Sequence, residues 1–398
     1  MRASAIISVT LAGAIGISVT EAFAIEPRRI VHPGLLHTNN DFARIKGYVS
    51  AQTSPQYDGW LKLAAAANAD YTPNAQASVC RGSSDCTQNY ASLYKDVAAA
   101  YANALVWRIR GTTDNAKAAV RIMDAWSSKL TEIIGSADRW LAAGLYGYQL
   151  ANVAEILRDY DGWTGLDAAI KMLVDIFYPM NHDFLVRHNG ASIDNYWANW
   201  DLCTLCAMHS IGVLSDNQTM VNEAITYFKT GSGMGALANA IWYIWSEEGS
   251  GKPLGQGQEA GRDQGHATLD FGLLGVLAQQ SYNQGTDLFS LTSNRILAGS
   301  EYAFKYNVGQ DVPFKTYTNN HGTATVISNS SRGTIRPIGE LLYAHYNGVK
   351  GLNASWTGKY RDMVLDASDG AEGGGGSYGP NSGGYDQLGW GTILYRLD

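Results

Sequence analysis

Ten stretches of the chain repeat apolar residues every three to four positions: 89–111, 113–134, 138–159, 164–178, 195–214, 219–230, 259–281, 287–306, 337–347 and 354–367. That period is the mark of a helix with a buried face. Glycine- and asparagine-rich loops separate the stretches, and no proline- or serine-rich linker divides the series. Strand-like alternation is scarce, and 312–335 is where a short hairpin fits best. Many antiparallel helices joined in sequence either stack as a solenoid or close into a double ring. The expected fold is therefore all-α, an incomplete (α/α) toroid of helical hairpins with little or no β-structure. It forms one domain over residues 25–398.

Residues 1–24 have the layout of a secretory signal: Arg2, then the apolar run AIISVTLAGAIGISV, then the small residues AFA at 22–24. The run is shorter than the ~20 apolar residues that span a bilayer. A secreted, extracellular protein without a membrane anchor is expected. Asn217, Asn329 and Asn353 head Asn-x-Ser/Thr triplets, which fit export. Cys80 and Cys86 bracket the polar loop CRGSSDC and suit a local disulfide in an oxidising compartment. Cys203 and Cys206 lie on an apolar helical pattern, where buried free thiols are the plain expectation. A zinc site needs more ligands at suitable spacing, so no metal and no cofactor are expected.

The net charge of −7 argues against nucleic acid as a partner, because that binding relies on a basic surface. A local arginine cluster can still oppose that sign and hold a polyanion. Only 16% of residues are charged, whereas 11 Trp and 23 Tyr exceed what a core requires and suit sugar rings. The expected partner is an anionic polysaccharide, taken by a monomer.

A closed ring places the first turns of its inner helices on one rim. If 195–214, 259–281 and 337–347 are inner, Asn195–Asn199, Arg262–His266 and Arg332–Arg336 share a mouth with the loops 180–194, 231–258 and 307–335. Arg262, His266 and Asp270 repeat every four residues, on one helical face. Helical side chains lean toward the N-terminus, so Asp270 can reach back to orient the His266 imidazole for proton transfer. A core histidine beside a helix-end salt bridge explains the spacing equally well. Asn195 and Asn199 lie one turn apart, flanked by Trp197 and Trp200, and an inward amide can donate to a carboxylate. Helix capping accounts for Asp194 or Asn195 but poorly for Asn199. Arg332 and Arg336 precede Pro337, as at a first helical turn, and guanidinium forks bind carboxylates. A local Arg336–Glu340 pair is the competing account. Gln264 and His321 join the substrate-binding candidates. Among the tyrosines, Tyr317 in FKTYTNNHG sits in the rim loop, with Tyr306 and Tyr302 behind it.

No P-loop, dinucleotide fingerprint, GxSxG elbow or HExxH is present. A cleft of Asn, Arg, His and Tyr lacks the obvious carboxyl pair of ordinary glycoside hydrolysis, although Asp201, Glu259 and Asp263 leave that route open.

GRDQGHATLDFGLL, YNQGTDLF and NRILAGSEYAFKYNVGQDVPF resemble the alginate lyases with the chondroitin-AC-type helical toroid, and among them polysaccharide lyase family 38. RPIGELLYAHY and DQLGWGTILY extend the similarity, which runs from about Tyr196 to the C-terminus, with HPGLLHTNNDFARIK as its N-terminal start. ASIDNYWANW stands where family 5 alginate lyases carry an Asn-Asn-His triplet. The resemblance implies β-elimination on a β-1,4-linked uronan, alginate or glucuronan: a base removes the C5 proton and an acid protonates the departing O4. It implies Asn199 as carboxylate neutraliser, His266 as base or neutraliser and a tyrosine as acid or base, with Arg262 and Arg336 orienting substrate. A uronan hydrolase using Asp201 or Asp263, and a non-catalytic carbohydrate-binding protein, are the alternatives.

Overall fold

The computed structural model describes residues 29–83 and 85–398. The expected export signal lies outside the described residues. The early chain forms α1 (Asn39–Ala51), α2 (Gln56–Ala66), β1 (Ser78–Arg81), α3 (Ala91–Arg110), α4 (Thr113–Lys129), β2 (Glu132–Gly135) and α5 (Arg139–Leu157). Next, α6 (Leu166–Met172) runs through a π turn into α7 (Tyr178–Arg187), followed by α8 (Ala198–Leu214) and α9 (Gln218–Thr230). A short α10 (Leu237–Ala240) leads into the hairpin β3 (Ile241–Ser246) and β4 (Pro253–Gly257). Then come α11 (Gln264–Asn283), α12 (Leu291–Asn307), the hairpin β5 (Tyr317–Asn319) and β6 (Gly322–Ala324), α13 (Gly339–Tyr343), α14 (Ser355–Asp366) and α15 (Gly391–Leu394).

Two layers follow from how the apolar residues are distributed. In α5, α8 and α11 nearly every residue is buried, and such helices must lie inside. By contrast, α9 buries a stripe of Met220, Val221, Ala224 and Phe228, and α4 a stripe of Ala116, Ala119, Ile122, Met123 and Trp126. These are outer helices. The inner ones approach closely: a Cβ on Gly144 of α5 would stand 2.4 Å from Cys203 Sγ of α8. Cys203 and Cys206 are buried free thiols, and Cys80 and Cys86 form the disulfide. α15 packs against α2, α1 and α13, bringing the two ends of the helical series together.

The mostly helical, toroid-like architecture agrees with the expectation, but several boundaries do not. Helix α8 starts at Ala198, leaving Asn195 in a turn. The Arg332–Arg336 stretch is irregular and α13 begins only at Gly339, so Pro337 is not at a helical first turn. The segment 241–257, expected as loop, is a hairpin, and β1 pairs with β2 in parallel. The hairpin expected within 312–335 is present. No helix among the described residues is long and apolar enough to cross a membrane.

Near the closure, Glu372 is fully buried and accepts from the backbone N–H groups of Glu340 and Gly391. Burial, then the neighbouring Glu340 charge, pushes its carboxyl from 4.5 up to about 8. The folded state therefore holds this proton where the unfolded chain has lost it. Stability should fall as pH rises from 4.5 to about 8, then level off. Glu372→Gln is expected to weaken that slope, worth on the order of a few kcal/mol. Thermal midpoints at several pH values check this, and an unchanged slope in the variant refutes the assignment.

Candidate active site

The turn before α11 carries the densest polar constellation, because its residues Gln258–Asp263 connect a hairpin to a helix start. Asp263 caps α11 by accepting from the His266 backbone N–H at 2.9 Å. Its other oxygen accepts from His266 Nδ1 at 2.7 Å. Burial opposes charge on Asp263, but these hydrogen bonds hold its carboxyl below the usual range. On the far side of the ring, Arg262 Nη2 lies 3.2 Å from His266 Nε2. A guanidinium only donates, so Nε2 is the acceptor and Nδ1 carries the proton. In this arrangement the Nε2 lone pair faces Arg262, and the His266 side chain is 40% exposed.

Asp270 does not orient His266, because Asp263 has taken that position. Asp270 is buried deeper, and neither of its oxygens receives a hydrogen bond from an N–H or hydroxyl donor. Burial and then the Glu259 charge push its carboxyl well above the usual range. Glu259, 0% exposed, accepts from Asn199 N at 2.9 Å, Asn199 Nδ2 at 2.8 Å and Arg262 Nη1 at 2.7 Å. Asn199 therefore turns its amide N–H onto a buried protein carboxylate. Glu259 is the site residue that spacing alone underweighted; its signal was a carboxylate three residues before Arg262.

Arg262 also lies over the Trp197 ring, 5.1 Å from its centroid. Together with Gln258, Gly261, Tyr317, Asn319, His321 and the β6 strand they line a cleft of ≈ 270 Å³. Tyr317 forms the facing wall. Its hydroxyl accepts from Gln258 Nε2 at 3.0 Å and donates only to the Met234 sulfur at 3.6 Å. Burial raises the Tyr317 hydroxyl above its ordinary value, the Gln258 bond lowers it, and the charges of Asp194 and Glu259 raise it further. The β5–β6 hairpin turns through Asn320 and His321, with Gly322 at φ 124°, a conformation that favours glycine. Its tip is tied across the cleft: His321 Nε2 reaches the Asn195 carbonyl at 2.6 Å, and its ring stacks on Trp197 at 5.2 Å.

The remaining candidates lie elsewhere. Arg336 is 8% exposed; its Nε donates to the Gly265 carbonyl and its Nη1 to Gly383, Asp386 and Gln387, so it pairs with neither Glu340 nor the cleft. Arg332 stacks on Tyr306 at 3.8 Å and bonds Asp311. Tyr306 is buried beneath that guanidinium, and Tyr302, 1% exposed, donates to the Pro313 carbonyl. Gln264 is buried and bonds Ala260, Ser328 and Asn307, pinning the rim loop. Trp200 packs on Phe184 and Tyr196. Asp201 is buried against His188, Tyr227 and the Gly235 N–H.

No family model matches the sequence, and no curated protein matches it. Solved structures do. An alginate lyase from Bacteroides ovatus superposes with a TM-score of 0.60 at 11% identity, covering 92% of this chain and 100% of that one. Alginate lyase A1-III from Sphingomonas species A1 gives 0.52 at 13% identity, over 83% of this chain and 95% of that one. An apo form of a variant of alginate lyase A1-III gives 0.56 at 14% identity, over 93% and 97%. In fold, the chain is a helical toroid like these alginate lyases.

Proposed function

We propose that the protein is a secreted polysaccharide lyase that cleaves a β-1,4-linked uronan, polymannuronate or glucuronan, by metal-independent β-elimination. The observation that carries this reading is the hydrogen-bonded chain Asp263–His266–Arg262–Glu259, whose Arg262 lines a cleft together with Tyr317. The solved alginate lyases of this fold lend it support.

The difficult step is removal of a proton next to a carboxylate, which leaves negative charge on C5 and the carboxyl group. Arg262 Nη2 passes from His266 to the substrate carboxylate, while Nη1 remains on Glu259. A positioned cation of this kind stabilises charge as it develops. The same movement uncovers the Nε2 lone pair, which takes the C5 proton. The C5–H electrons form the C4=C5 double bond, the C4–O4 bond breaks, and O4 takes the Tyr317 proton. Tyr317 suits the acid role because its raised value keeps the hydroxyl protonated and a thioether is a weak competitor for it. Asn199 acts through Glu259, holding the counter-charge that fixes Arg262.

Hydrolysis fits the site less well. It needs two carboxyl groups flanking the bond, yet Glu259 and Asp201 are fully buried and Asp263 is held by His266. Incubation with polymannuronate or glucuronan in the presence of a chelator is expected to yield unsaturated uronyl ends. Saturated products carrying solvent oxygen would overturn the reading.

A further inference from the structure

Beyond Tyr317 the cleft wall continues into aromatic and cationic groups that the elimination step does not use. Lys315 precedes Tyr317 by two residues, on the irregular segment that leads into β5. Both reach the Trp242 ring, Tyr317 at 5.3 Å between centroids and Lys315 Nζ at 5.7 Å from the centroid. Lys315 Nζ also lies 4.1 Å over the Tyr243 ring. The backbone here is anchored. Gln256, 0% exposed, accepts from the Lys315 N–H at 2.7 Å and donates to its carbonyl at 2.8 Å. Among the described residues, no carboxylate lies within ion-pair distance of Lys315, whereas Lys252, Lys305 and Lys350 each have one.

An exposed, unpaired ammonium on a rigid backbone, seated on two aromatic rings, is built to receive an anion attached to a flat apolar body. A uronic acid has that form: the pyranose face meets an aromatic ring and the carboxylate meets the cation. Two residues of chain reach at most about 7 Å, the scale of one sugar ring. We propose that Lys315, Trp242 and Tyr243 form a separate subsite. It binds the uronate next to the sugar whose O4 faces Tyr317 and makes the protein prefer chains with consecutive charged residues. The substrate class rests on the lyase reading above; the geometry of the subsite does not.

Two measurements separate the claims: formation of unsaturated ends from polymannuronate and glucuronan, and equilibrium binding of the same polymers. Lys315→Ala should raise KM and Kd about tenfold at low salt, with a smaller effect on kcat, as loss of a charge-assisted contact does. Lys315→Arg should restore most of the affinity. The difference should vanish as ionic strength rises from about 0.01 M to about 1 M and the screening length shrinks from about 30 Å to about 3 Å. Lys359→Ala, which removes an exposed lysine over the Trp356 ring rather than over Trp242 or Tyr243, should match wild type and so control for general attraction of a polyanion. Equal KM and Kd for Lys315→Ala and wild type at low salt, with an unchanged thermal midpoint, would refute the subsite and leave the lyase reading standing. Absence of unsaturated ends with wild type, alongside a tenfold binding loss in Lys315→Ala, would refute the lyase reading and keep the subsite. Failure of wild type to bind either polymer would end both.

Discussion

His266→Ala is expected to lower kcat by about 10³-fold on whichever uronan the wild type cleaves, the scale of losing a positioned general base. The fold should survive, because the side chain is 40% exposed and its loss breaks only contacts to Asp263 and Arg262. The proposed role as base rests on two neighbours of the ring. Asp263 fixes the proton on Nδ1, and the donor facing Nε2 is a group that the substrate carboxylate should draw away. Stopped-time assays of unsaturated ends, with a thermal melt as control, measure the effect. A variant within about threefold of wild type would show that the proton is taken by another group.

The second large effect is expected at Tyr317→Phe, where loss of the acid should lower kcat by about 10²- to 10⁴-fold. The accompanying structural cost should be modest: Gln258 Nε2 loses its acceptor, and leaving a buried donor unsatisfied costs about 1–3 kcal/mol. An activated leaving group at O4 distinguishes catalysis from packing, because it needs little protonation and should recover much of the lost rate. Burial and the charges of Asp194 and Glu259 raise the Tyr317 hydroxyl. The wild-type alkaline limit assigned to this group should therefore lie above its ordinary 10.0. Equal losses for activated and natural leaving groups would remove Tyr317 from the acid role.

The helical architecture was legible because burial leaves a periodic trace. Segments such as 198–214 are apolar on every side, 218–230 on one, and that contrast alone separates an inner from an outer layer. The hairpin at 241–257 was missed because IWYIWS lacks the polar alternation of a one-sided strand. The turn 258–266 was recognisable as a polar cluster opening an apolar helix, and there the side chains do meet. Arg336 and Asp270 carried equally suggestive spacing, yet they face the C-terminal segment and the core.

By itself, then, the sequence determined what local periodicity and charge composition can encode: serial helices in two layers, an acidic chain, and a polar turn opening an apolar helix at 258–266. Tertiary structure alone decided which polar groups pair. Hydrogen bonding acts over about 3 Å between residues as far apart as 199 and 259, and nothing in their separation along the chain records that contact. For the same reason only the folded molecule reveals that Asp263 rather than Asp270 holds the imidazole, and that Lys315 has no counter-charge among the described residues but lies over the Tyr243 ring.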